Sequence, residues 1–163
     1  MSAQSSTIAI EDTRNVILTG GSSGIGFATA CKFLRDKNTH VVIIDKNPIP
    51  EKCKQKLDKI KHATSRFSFK QFDFVNTDKI AKMIEKVFNH HFNKTEINVL
   101  INNHAKFEFG KLGIPKTGSK TKTDCNIPLI DWKETFEINL ISHAMNIQAV
   151  IPYMRKNKVQ IQN

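Results

Sequence analysis

The chain has 163 residues, 39% of them hydrophobic and 8% aromatic. At ~100–200 residues per domain this is one domain or part of a larger one, with enough apolar material for a core, which argues against wholesale disorder. Lys and Arg number 25 against 15 acids, a net charge of +10, but 21 of the 25 are Lys and only 4 are Arg. Base readout and bidentate phosphate clamping favour Arg, so the excess points to a solvated Lys-rich surface rather than a specific nucleic-acid interface.

No apolar run reaches the ~18 residues of a membrane span, so no membrane partner is expected. The opening MSAQSSTIAIEDTRN has no basic segment followed by an apolar one, as a secretory signal would. Cys31, Cys53 and Cys125 are odd in number, far apart and in no metal-ligand spacing. They point to reduced thiols in a cytosolic compartment and to no metal site.

Residues 1–13 are a polar arm, and residues 14–163 form the domain proper. Residues 15–18 (NVIL) are a short apolar run ending in Thr19-Gly20, as a buried strand meets a tight turn. Gly24 to about Lys37 has helical spacing, with Phe27, Ala30, Cys31 and Leu34 on one face and Asn38 to close it. Residues 41–44 (VVII) end at Asp45 and make a second strand. Pro50 then suits the first turn of a helix reaching about His62, with Cys53, Leu57 and Ile60 inward. Residues 67–74 (FSFKQFDF) are the third strand. Thr77 is placed to cap a helix whose stripe is Ile80, Met83, Ile84, Val87 and Phe88. Residues 98–101 (NVLI) are the fourth strand.

Residues 106–130, rich in Gly, Lys and Thr, are a long loop. Asp131, with Glu134 three residues on, predicts the start of a helix through about Met154. Its expected apolar stripe is Phe136, Leu140, Ala144, Ile147 and Ile151, with Pro152 at a kink or in the last turn. Alternating apolar strands and helical stripes predict an α/β fold: a doubly wound, Rossmann-like parallel sheet in three α/β/α layers.

The turn Thr19-Gly20-Gly21-Ser22-Ser23-Gly24-Ile25-Gly26 carries the strongest chemical signal. Glycines permit a tight turn and close backbone approach, and the helix that follows offers unpaired N–H groups to a pyrophosphate. Ser22 and Ser23 add hydroxyl donors. Asp45, 19 residues beyond Gly26 at the end of the second strand, stands where an acid accepts hydrogen bonds from the adenosine ribose. An acid there opposes the 2′-phosphate of NADP, since like charges ~4 Å apart repel by about 4 kcal/mol at an effective dielectric of ~20. Lys46 offsets part of that. The expected cofactor is NAD, with NADP less favoured.

The T-G-x-x-x-G-x-G turn resembles that of the short-chain dehydrogenase/reductase family, and further matches extend from about residue 14 to 154. Phe72-Asp73-Phe74 is similar to the family's acidic position after the third strand. The resemblance implies that Asp73 faces the adenine amino group, with the Phe74 backbone nearby. Asn102-Asn103-His104-Ala105 resembles the family's N-N-A-G, with Asn103 lying along the cofactor. It departs at His104, which could be a packed residue or a pH-sensitive ligand contact, and at Ala105. Trp132, Phe136 and Asn139-Leu140 resemble the helix that carries the family's catalytic Asn, which makes Asn139 the one catalytic residue carried over. The resemblance implies hydride transfer between NAD(H) and a small carbonyl or alcohol substrate, with a homo-oligomer left open.

The family's Ser and Tyr-x-x-x-Lys have no counterpart here. Tyr153 is the only tyrosine, and four residues on stands Asn157 rather than Lys. The family sheet has about seven strands in the order 3-2-1-4-5-6-7, and only four are expected in this chain. The expectation is therefore a cofactor-binding part without its C-terminal half, truncated after the fourth strand and the following helix and inactive by itself. The fourth strand would then be a bare edge. The alternative is a non-catalytic NAD-binding or partner-binding module, and loop 106–130 is either a substrate-side lid or a surface insertion.

Overall fold

The computed structural model describes residues 13–107 and 129–154. Nearly all of the polar arm, most of loop 106–130 and Cys125 lie outside the described residues. The elements are β1 (Arg14–Thr19), α1 (Gly24–Leu34), β2 (Thr39–Asp45), α2 (Glu51–Asp58), β3 (Phe67–Gln71), α3 (Ile80–His91), β4 (Val99–Asn102), α4 (Leu129–Phe136) and α5 (Ser142–Met154). A single 3₁₀ turn, Thr77–Lys79, precedes α3, and a π-helical turn, Glu137–Ile141, joins α4 to α5.

The four strands form one parallel sheet in the order β3-β2-β1-β4. Side chains alternate across a strand, and here both faces are covered. Val16, Leu18, Val41 and Ile43 pack with Phe27, Ala30 and Leu34 of α1 and Cys53 and Leu57 of α2. Ile17, Val42 and Ile44 face the opposite way, onto Ile80, Ile84 and Val87 of α3 and Val150 of α5. This is the expected three-layer, doubly wound architecture. Both β3 and β4 are sheet edges among the described residues.

Several boundaries move, each for a local reason. Helix α1 ends at Leu34 rather than near Lys37, because the Arg35 and Asp36 N–H groups tighten back onto Lys32 and Phe33. The Arg66 guanidinium then donates to the carbonyls of Leu34, Asp36, Thr39 and Lys61, a cationic close to the helix C-terminus that Asn38 does not supply. Helix α2 stops at Asp58, short of His62, and Pro50 is its N-cap residue. Strand β3 ends at Gln71: Asp73 accepts the Val75 N–H and its carbonyl accepts the Asn76 N–H, turning the chain out of the sheet. Thr77 does not cap α3 but opens the 3₁₀ turn, and its hydroxyl donates to Glu137 Oε1 at 2.6 Å. Strand β4 spans Val99–Asn102 rather than 98–101.

The last helical stretch departs furthest from its pattern. It begins at Leu129, so Asp131 lies inside its first turn instead of capping it. The π turn adds a residue to the helical cycle and rotates the faces that follow. The buried set is Ile138, Ser142, Asn146 and Val150. Of the expected stripe, Phe136, Leu140 and Ile147 are 55%, 58% and 49% exposed. Pro152 lies in the last turn of α5.

Candidate functional site

The C-terminal ends of β1, β2 and β4, with the turn after β3, close around a cleft of about 230 Å³. Seven of the ten predicted cofactor residues line it: Gly20, Ser22, Ser23, Asp45, Asp73, Phe74 and Asn103. Gly24, Ile25 and Gly26 instead form the first turn of α1, and the Ile25 side chain is 81% exposed, so these three present backbone to the turn. Ser23 is the N-cap residue of α1 and makes no side-chain cap bond. No acidic residue stands in that first turn. Its leading N–H groups have no intrahelical partner, and the helix dipole makes this end electropositive.

Glycine is required where the turn touches its neighbours. Gly20 has φ +67°, and a Cβ there would lie 2.5 Å from the His104 Cα. A Cβ on Gly26 would run into the Gly20 carbonyl and lie 2.5 Å from Asn103 Nδ2. Gly24 also has a positive φ, +57°, but faces open space. Asn103 clasps the turn by donating from Nδ2 to the Gly20 carbonyl at 2.7 Å.

Asp45 ties the second strand to the same turn. Its Oδ2 accepts the Ser22 N–H at 3.0 Å, and its Oδ1 accepts the Asn47 N–H at 2.9 Å. The carboxylate is thus fixed at the cleft wall with lone pairs to spare. Lys46 lines the cleft beside it.

His104 settles into one of its two expected roles, that of a packed residue. It is 8% exposed, and its ring stacks on Phe74 with centroids 3.8 Å apart. The Ser142 hydroxyl donates to the Ile138 carbonyl at 2.7 Å, so it accepts from His104 Nε2–H at 2.6 Å. That tautomer, assigned from the network, leaves Nδ1 to accept from the Thr19 hydroxyl at 2.6 Å. Thr19 Oγ1 in turn accepts the Asn103 N–H at 3.1 Å. His143 Nε2 donates to the His104 carbonyl at 2.9 Å. Burial first, and the neighbouring His143 second, push the His104 imidazole down to about 3, so it is neutral at pH 7. His104 therefore joins β1, β4 and α5 at the wall of the cleft, which it also lines, a role that the sequence motif does not reveal.

Asn139 lies in the π turn and does not itself line the cleft. Its Oδ1 accepts the Lys106 N–H at 2.7 Å and its Nδ2 donates to the Lys106 carbonyl at 2.8 Å. Lys106 also reaches Glu134 Oε2 at 2.8 Å, which holds the Glu134 carboxyl below its usual range. Together these bonds pin the chain after β4, where Ala105, already singled out in the sequence, is joined on the cleft wall by Lys106 and Phe107, which were not. Tyr153 is elsewhere, packed against Phe88 in the α3–α5 layer.

A parallel doubly wound sheet with a glycine turn at one strand tip and an acid at the next defines a dinucleotide-fold protein. The sequence profile described as short chain dehydrogenase matches residues 14–161, and the chain belongs to that family. It is 30% identical over 145 residues to an uncharacterised oxidoreductase of Staphylococcus saprophyticus, covering 88% of this chain and 50% of that one. It is 28% identical over 146 residues to human polyprenol dehydrogenase, covering 88% of this chain and 38% of that one. A 3-oxoacyl-(acyl-carrier protein) reductase from Brucella melitensis superimposes with a TM-score of 0.68 at 16% identity, covering 91% of this chain and 54% of that one. The chain thus spans half the length, or less, of these curated relatives. The family binds a nicotinamide dinucleotide, and the similar structures include an NADPH complex and an NAD complex. Among the described residues no helix is long and apolar enough to cross a membrane.

Proposed function

We propose that these residues form the cofactor-binding half of a cytosolic, NAD-dependent short-chain oxidoreductase acting on a small carbonyl or alcohol substrate. The observation that carries this reading is the Asp45 carboxylate held 3.0 Å from the Ser22 N–H, which sets the acid and the glycine turn on one cleft. The nicotinamide supplies hydride when bound. The glycine turn and the α1 N-terminus hold the pyrophosphate, because backbone N–H groups approach closely only where Cβ atoms are missing. Asp45 accepts from the adenosine ribose and repels a 2′-phosphate, which favours NAD over NADP. Asp73 and the Phe74 backbone flank the adenine, and Asn103 runs along the cofactor. Asn139 acts through Lys106 as a positioning residue for the wall after β4.

With Tyr153 in the α3–α5 layer and no Ser or Tyr-x-x-x-Lys counterpart in the sequence, these 163 residues bind cofactor without turnover. The exposed Phe136, Leu140 and Ile147 favour one second reading, a non-catalytic NAD-binding module that docks a partner or a second copy through α4 and α5. Calorimetric titration with NADH, beside ketones supplied with NADH and alcohols supplied with NAD, tests both. The expected result is NADH binding that Gly26→Val abolishes in a folded protein, with no NADH consumed by the ketones and none formed from the alcohols. Absence of NADH binding by the folded wild type overturns the cofactor assignment, and turnover overturns the inactivity.

A further inference from the structure

The second large concavity lies between α1 and α2, meets the dinucleotide cleft at Ser23, and holds about 830 Å³. That is within the range of roughly 300–1,000 Å³ typical of small-molecule sites. Its floor is apolar: Phe27, Ala28 and Cys31 on one stripe of α1 meet Cys53 of α2 and Ile60 just beyond it. Phe27 and Cys53 belong to the core on this face of the sheet, with Cys31 and Ile60 packed against it. The rim is cationic. Arg35 stands at the far end of the α1 stripe, Lys52 and Lys56 are one turn apart on α2, and Lys59 and Lys61 follow that helix. No Asp or Glu lines the cleft, and none of these five cations has a carboxylate partner among the described residues.

Five cations with no carboxylate partner among the described residues, set around an apolar trough, repel one another and favour an anion. The floor decides which kind. It carries no amide, hydroxyl or carboxylate side chain to read a nucleobase or sugar; the one hydroxyl residue on the lining, Ser23, stands at the end shared with the glycine turn. A hydrocarbon chain suits such a floor, and the lysines can lay their methylene stems along it with the ammonium groups at the mouth. A concave trough admits a single chain and not a bilayer surface. We propose that the α1–α2 cleft is a second ligand site, taking a single-chain anionic amphiphile such as a long-chain fatty acid, with the chain on Ala28, Cys31 and Ile60 and the carboxylate among the lysines. Nothing in this depends on which dinucleotide occupies the first cleft.

The test is titration calorimetry of the folded chain with oleate below its micellar concentration, beside oleyl alcohol, octanoate and inorganic phosphate. The expected result is one oleate site, at least tenfold weaker for the alcohol and for octanoate, with no measurable binding of phosphate. Lys56→Glu/Lys59→Glu and, separately, Ala28→Glu should each weaken oleate at least tenfold while leaving NADH titrations unchanged. Ala28 is exposed, so its variant should fold normally. Absence of oleate binding, phosphate binding as tightly as oleate, or equal oleate affinity in wild type and both variants overturns the proposal; the last outcome would place the bound oleate elsewhere on the chain.

Discussion

Replacing His104 by Phe should flatten the acid side of the stability profile. The ring is enclosed by Phe74, Thr19, Ser142 and His143, and its titration is pushed down to about 3. In the unfolded chain a histidine titrates near ~6.5. The folded value is the lower one, so below pH ~6.5 the unfolded chain takes up a proton that the folded chain refuses. Stability is therefore fully present above that pH and is lost as pH falls from about 6.5 toward about 3. One proton corresponds to about 1.4 kcal/mol per pH unit, so lowering the pH from 7 to 5 costs about 2 kcal/mol through this residue. His104→Phe keeps a flat ring against Phe74 and removes the proton. Ser142 keeps its bond to the Ile138 carbonyl, and the Thr19 hydroxyl, freed from Nδ1, can turn its proton to the Ile101 carbonyl 3.3 Å away. At pH 7 the variant should be less stable by roughly 1–3 kcal/mol, the usual cost of lost buried hydrogen bonds. Urea unfolding of both proteins at pH 7 and pH 5 is the assay. Wild type should lose about 2 kcal/mol more than His104→Phe between the two conditions. His40 and His91, which burial also lowers, are present in both proteins and cancel. Parallel pH dependences, or a His104 imidazole resonance titrating near ~6.5 in the folded protein, would refute the reasoning.

Asp45→Ala should weaken NADH by roughly 10- to 100-fold, from hydrogen bonds to a charged acceptor worth about 1.5–3 kcal/mol each, and should shift the NADPH to NADH affinity ratio toward NADPH. Unchanged affinities for both cofactors in a calorimeter would remove Asp45 from the site. Asn139→Ala deletes both bonds to the Lys106 backbone and should speed amide exchange at Lys106 and Phe107, at a cost of about 1–2 kcal/mol in local stability. Exchange rates there equal to wild type would contradict the positioning role. Ile84→Ala empties a fully buried position between α3 and the sheet and should cost about 2–5 kcal/mol in denaturant unfolding, whereas less than ~1 kcal/mol would mean that this layer is loosely packed.

The order of elements and the glycine turn were legible in the amino-acid sequence because they rest on local chemistry. A run such as Val41-Val42-Ile43-Ile44 is apolar on both faces, and in a chain that alternates strands with amphipathic helices that is the mark of a buried parallel strand. Gly20 and Gly24 stand where φ is positive, a conformation that few other residues adopt. The spacing from Gly26 to Asp45 follows from one helix and one strand. Element ends were less legible, because competing side chains set them: Arg66 closes α1 from 32 positions beyond its last residue, Leu34.

Only the tertiary structure decided what lies behind the cleft. The pattern Phe136, Leu140, Ala144, Ile147 and Ile151 is a sound helical stripe, yet the π turn rotates the helix so that Ser142 and Asn146 face inward. They do so because His104 and Asn102 wait there with matching hydrogen bonds. No local rule links residue 104 to residue 142, or the Asp45 carboxylate to the Ser22 amide 23 positions earlier. Backbone preference and hydrophobic period act over a few residues and are written into the chain. The pairing of buried polar groups depends on which strands and helices come to lie side by side, and that is settled only when the sheet assembles.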